Sequence, residues 1–95
     1  MTTRHAATWM CPLDERTLEI LRNEDMASPS YIAREVSLYA STGRVRERCI
    51  MLVRAELAAP VSKNWGHYEI TTKGEEFLDG ELDARGLPRP QVALL

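Results

Sequence analysis

The chain has little of what reactive chemistry usually requires. Its two cysteines, Cys11 and Cys49, lie far apart and form no C-x-x-C pair, so neither a disulfide framework nor a thiolate metal site is indicated. The better reading is two free thiols, with Cys49 in the core. Zinc would need a fuller ligand set than these two plus His5 and His67, and no metal is expected. There is no Gly-rich phosphate loop, no H-E-x-x-H, no G-x-S-x-G and no S-x-x-K with partners. The chain is therefore read as not an enzyme, with no cofactor. Long apolar runs are also missing: nothing approaches the roughly 18–20 residues of a membrane span. The first eight residues lack the apolar core of a secretory signal, so a cytoplasmic location and no membrane partner are expected. Lysine is scarce, two against ten arginines. A GC-rich genome accounts for that, as does adaptation to high salt; the formal net charge of −2 leaves the habitat open.

What the chain does have is an ordinary globular composition, 44% hydrophobic and 27% charged, in 95 residues, enough for one core. Charge is unevenly spread. Residues 42–73 carry six basic side chains against three acids, while residues 74–83 carry five acids and no base. The positive charge therefore falls in the middle third of the chain.

Periodicity divides the chain into an N-terminal arm (1–10), a folded domain (11–83) and a C-terminal tail (84–95). Trp9 and Met10 are candidate anchors of the arm on the core. Pro12 opens a first helix, followed by acids that suit its N-terminal dipole. Ser28 caps a second helix with Pro29 at its first position, and Ile32, Ala33 and Val36 form its buried stripe. Ser37–Ser41 is a turn in which Leu38 or Tyr39 dips inward. A third helix runs from Thr42 to about Ala55. Stepping 100° per residue puts Val45, Cys49 and Leu52 on its core face with Val53 at the edge. Gly43, Arg46, Glu47, Ile50, Met51 and Arg54 point away, and Arg44 and Arg48 lie on a flank. Ile50 and Met51, apolar on an outward face, suit a partner subunit, thymine methyls or a tolerated surface position.

Beyond Pro60 the period changes to two. Val61–Lys63 reads as a strand, Asn64-Trp65-Gly66 as a turn, and His67–Thr71 as a second strand with Tyr68 and Ile70 inward. Trp65 either folds back onto the domain or packs along deoxyribose, fold-back being favoured. Thr72 caps a last helix that buries Phe77 and Leu78 and continues toward Leu82. Two prolines and a glycine keep the tail from forming regular helix.

This order, mainly α with a small β-hairpin (α+β), is that of a winged helix-turn-helix: three helices, a two-stranded wing and a C-terminal helix. The expected function is sequence-specific binding of double-stranded DNA for transcriptional regulation, by repression. Helix 42–55 reads the major groove and wing 61–71 follows the backbone or minor groove. The candidate contacts are Ser30, Thr42, Arg44, Arg46, Glu47 and Arg48 from the helices, with Lys63, Asn64 and His67 from the wing. Arg46 and Arg44 rank as base readers, because Arg suits bidentate contact with guanine. A homodimer on a palindromic operator is expected, since one recognition helix reads few base pairs. Its surface would be built from Trp9, Met10, Leu82, Leu87 and the apolar end Val92–Leu95. No small-molecule effector site is evident. The rival reading is a winged-helix protein-interaction module that binds no DNA, with Ile50 and Met51 as its docking patch.

Four stretches resemble the phage phi-H repressor-like winged-helix proteins of haloarchaea: Trp9-Met10-Cys11-Pro12, Asp14–Leu21, Val45–Cys49 with Leu52, and Tyr68–Glu75 with Leu78. The resemblance spans roughly residues 9–83 and is most distinctive over Tyr68 to Gly74. It implies a dimeric transcriptional repressor, or a relative of one, in a high-salt cytoplasm. Three places depart from the pattern. Glu56 replaces a turn glycine, Cys11 replaces a Ser or Thr cap, and Ile50-Met51 replaces basic residues.

Overall fold

Local signals set the helix starts. In a computed structural model of the chain, which describes residues 3–36 and 39–91, helix α1 spans Pro12–Glu24, α2 Pro29–Glu35 and α3 Thr42–Arg54. Proline opens the first two, where its missing N–H is no loss. The Ser28 hydroxyl accepts from the Tyr31 amide at 3.2 Å, and the Ser41 hydroxyl accepts from the Arg44 amide at 3.1 Å. At α1 the capping runs through a carboxylate instead: Asp14 Oδ2 accepts from the Cys11 amide at 2.8 Å.

The hairpin lies earlier in the chain than the alternation suggests. Strand β1 is Ala58–Pro60, not Val61–Lys63, and pairs antiparallel with β2, Tyr68–Ile70. Leu57 and Ala58 must be buried directly after α3, which starts the strand at once. Pro60 then ends the strand, having no amide to donate. Val61–His67 is consequently a loop, closed at its base by the Val61 amide on the His67 carbonyl at 2.9 Å. On its other edge β2 meets the α1–α2 connection, where Ala27 and Tyr68 exchange two backbone hydrogen bonds of 3.0 and 2.9 Å.

Helix α4 spans Thr72–Leu78. Thr71, one residue before the expected cap, holds its N-terminus: the hydroxyl accepts from the Gly74 amide at 3.1 Å and donates to the Glu56 carbonyl at 2.7 Å. The helix stops at Leu78, short of Leu82, and the chain turns through Gly80 at φ 78°.

The turn from α3 into β1 is a Schellman motif. The Leu57 amide bonds the Leu52 carbonyl and the Glu56 amide bonds the Val53 carbonyl, both at 2.9 Å, and Glu56 sits at φ 66°. Leu52 and Leu57 are both fully buried beside it.

One core runs through all these elements. Leu18 and Leu21 of α1, Ile32 of α2, and Val45, Cys49 and Leu52 of α3 meet Leu57, Tyr68 and Phe77 with no solvent exposure above 1%. The angular reading of α3 therefore holds for its core face, and Val53 is half-buried as an edge residue should be. Two other assignments do not hold, Met51 on the outward face and Arg48 on the flank. Met51 is buried, 2% exposed, and Arg48 is 5% exposed. Both lie on the side of α3 covered by the two ends of the chain, a cover that helix periodicity cannot see.

Those ends are tied to the domain and to each other. His5 and Asp83 form a parallel bridge, the Ala84 amide donates to the His5 carbonyl at 2.9 Å, and the Trp9 indole donates to the Leu87 carbonyl at 3.2 Å. Arg4 pairs with Glu15 and Glu19 at 3.1 and 2.8 Å and donates to the Leu78 carbonyl. Trp9, Met10, Leu82 and Leu87 are half-buried against the core. Tyr39, expected inward, is fully exposed at φ 50°, and Leu38 lies outside the described residues. Among the described residues no helix is long and apolar enough to cross a membrane.

Candidate nucleic-acid interface

The outward side of α3 is narrower than the sequence suggests. With Arg48 and Met51 buried, the arc opposite Val45 holds Gly43, Arg46, Glu47, Ile50 and Arg54, of which Ile50 is half-buried and the rest exposed. Arg44 is exposed beside this arc, its guanidinium 3.9 Å from Glu47 one turn on. Thr42, half-buried, begins the helix, and Ser30 on α2 is exposed with its hydroxyl 3.2 Å from that of Ser28.

Arg48 leaves the candidate set on physical grounds. Its Nε and Nη2 donate to the two Asp14 carboxylate oxygens at 2.8 and 2.6 Å, and Nη2 also reaches the Trp9 carbonyl at 3.0 Å. The guanidinium lies 6.0 Å from the centre of the Trp9 ring. The Asp14 hydrogen bonds hold the proton on Arg48 more firmly than usual, against the opposing effect of burial. A planar fork matched to a buried carboxylate is a structural use of arginine. It fixes the middle of α3 to the start of α1 and to the arm.

The wing loop is shaped by Asn64. Its Oδ1 accepts from the Ser62 hydroxyl at 2.6 Å and from the Gly66 amide at 3.0 Å, so this oxygen is occupied in closing the turn. Lys63 and His67 are exposed on either side. Trp65 folds back, at φ 55°, with its ring edge-on to Tyr68 at 6.3 Å between centroids.

Ion pairing sorts the basic residues further. Arg4, Arg16, Arg22, Arg44, Arg48, Lys73 and Arg85 each have a carboxylate oxygen within 4.0 Å. Among the described residues Arg34, Arg46, Arg54, Lys63 and Arg89 have none, and all five are exposed. They stand on α2, α3, the wing loop and the tail. The acids of residues 75–83 lie on α4 and just after it, and α4 packs on α1 and β2.

Three of those five, Arg34, Arg54 and Arg89, were not among the sequence candidates. A signal was present: none of the five has an acid three or four positions away, the spacing at which helical ion pairs form. Arg48 has no such neighbour either, and its partner stands 34 positions away, where spacing gives no warning.

The model of the winged helix-turn-helix phage repressor family matches residues 1–89. The chain belongs to that family. This winged helix-turn-helix chain is similar to the PhiH1 repressor-like protein from Haloarcula marismortui, with 33% identity and a TM-score of 0.82 over 90% of this chain and 94% of that one. No curated protein matches it. Membership in a phage-repressor family suggests a DNA-binding regulator, of a kind that is typically non-enzymatic. The departures noted above now have structural accounts. Asp14 performs the capping that a side chain at Cys11 does not, Glu56 occupies the left-handed turn itself, and Met51 is covered.

Proposed function

We propose that this phage-repressor-family protein is a sequence-specific repressor that lays α3 in the major groove of duplex DNA. The wing loop 61–67 then follows the backbone or minor groove, and two copies bind a palindromic operator in the cytoplasm. The observation that carries this reading is the gathering of unpaired cations on α2, α3, the wing loop and the tail, while the other basic residues are matched with acids. Arg46, exposed on the outward arc near the start of α3, is the base reader, suited to guanine O6 and N7. Glu47 accepts from cytosine N4, and Ile50 meets a thymine methyl. Lys63 and Arg34 meet phosphates, and Arg44, Thr42, Ser30, Asn64 and His67 border the same surface.

Selection of bound duplexes from a random pool, followed by affinity measurement over a salt series, tests this. If each of the five free cations neutralises one phosphate or its equivalent, log K falls with log salt at a slope of about −4.5 per protomer. Arg46→Ala costs about 1–3 kcal/mol at one base pair and relaxes preference there. A protein without measurable duplex affinity at low salt would be a docking module, and the proposal would fail.

A further inference from the structure

Arg54 and Arg89 stand 35 positions apart in the sequence, yet both line one solvent-open cleft of about 500 Å3 at the C-terminal end of α3. We infer that they form a phosphate-binding site for the DNA backbone, in which the tail acts as a contact element beyond helix and wing. This rests on the DNA-binding reading above and adds a site to it.

Four observations support the assignment. First, the tail is held in place rather than merely adjacent. The Leu87 amide donates to the Ala84 carbonyl at 3.0 Å, the Trp9 indole donates to the Leu87 carbonyl, and Leu87 packs on the core. Pro88 and Pro90 then stiffen the segment that carries Arg89. Second, neither guanidinium has a carboxylate partner among the described residues. Arg54 is not needed to cap α3, because the carbonyls of Met51, Leu52 and Val53 already accept from the amides of Ala55, Leu57 and Glu56. Third, Glu56, the one carboxylate lining the cleft among the described residues, pairs with Lys73 at 3.5 Å and with neither arginine. Fourth, Arg54 lies on the same outward arc as Arg46, eight residues on, which is about 12 Å along the axis.

That placement favours phosphate over bases. Helices of this motif reach base edges with their N-terminal residues, so the far end runs out toward the strand bordering the groove. Two arginines lining one cleft there suit phosphate oxygens, which accept from the planar fork in pairs.

The test uses the full chain and two probes, a random-sequence duplex pool and the duplex recovered by selection. Both arginines are exposed and unpaired, so Arg54→Gln, Arg89→Gln and the double variant should melt as the parent does. The expected result is equal weakening on both probes, with the double variant losing about 1.8 units of salt slope per protomer. Neutral methylphosphonate at single backbone positions of the selected duplex should weaken the parent at one or two positions and leave the double variant indifferent there. A double variant whose slope equals that of a DNA-binding parent overturns this inference alone. Altered base preference would make the pair base readers and overturn it as well. Absence of duplex binding by the parent overturns the functional proposal itself.

Discussion

Arg48→Met should be among the most damaging single substitutions in this protein, although it stands in the helix proposed to read DNA. The change removes two hydrogen bonds to Asp14, at 2.8 and 2.6 Å, and one to the Trp9 carbonyl. Asp14, with no solvent exposure, is left with the Cys11 amide as its remaining described donor. Breaking a buried pair from one side typically costs about 3–5 kcal/mol, because the surviving charge is uncompensated. A chain of this length has a total stability of about 5–14 kcal/mol, so the loss is about a fifth of it or more. Urea denaturation followed by circular dichroism should show a lower midpoint at an unchanged slope, and the melting temperature should fall by more than about 12 °C. The double variant Arg48→Met/Asp14→Leu should recover most of the loss, since the orphaned carboxylate is gone. If Arg48→Met stayed within 1 kcal/mol of the parent and instead lost duplex preference, the structural role would be refuted and Arg48 would return to the reading face.

Glu56→Gly should stabilise. Relief of the left-handed conformation is worth about 1–2 kcal/mol, and glycine's extra freedom in the unfolded chain takes back about 0.5–1, a net rise of a few degrees in melting temperature. Glu56→Ala, which keeps the Cβ, should show no such gain in the same melt. Gly74→Ala should destabilise by about 1–3 kcal/mol or more, because its Cβ would fall on the Leu57 carbonyl oxygen and 2.6 Å from Ile70 Cγ1. Chemical denaturation would register this as a lower midpoint. Burial pushes the Cys49 thiol up to about 12, so above pH 9 the unfolded chain releases a proton that the folded chain keeps. Stability should therefore fall between pH 9 and 10 by up to about 1.4 kcal/mol per pH unit, and Cys49→Ala should flatten that slope.

The parts of the fold readable from sequence are those set by neighbours in the chain. Pro12, Ser28 and Pro29 mark helix starts because capping acts within three or four residues. Val45, Cys49 and Leu52 declare a core face through period alone. Errors arose where distant segments meet. Met51 looked outward because the arm and tail that flank α3 lie more than thirty positions away in sequence, and Arg48 looked free because Asp14 sits on another helix. The strand offset has a different origin. The run Val61–Lys63 alternates as a strand should, but Leu57 and Ala58 had to be buried first, and the hairpin was spent before the alternation began. For the interface, the outward placement of Arg46 was readable, whereas the grouping of Arg54 with Arg89 depended on where the tail runs.

The bridge between His5 and Asp83 has a mechanical consequence. In a parallel pair, the chain before the first strand and the chain after the second leave at opposite ends. Tension applied to the two ends of this protein would therefore shear the bridge along its length instead of unzipping it. Ala84 on His5, Trp9 on Leu87 and Arg4 on Leu78, at the end of α4, would bear the load together. Force-ramp unfolding from the termini should meet its first resistance at this seam, with the core intact behind it.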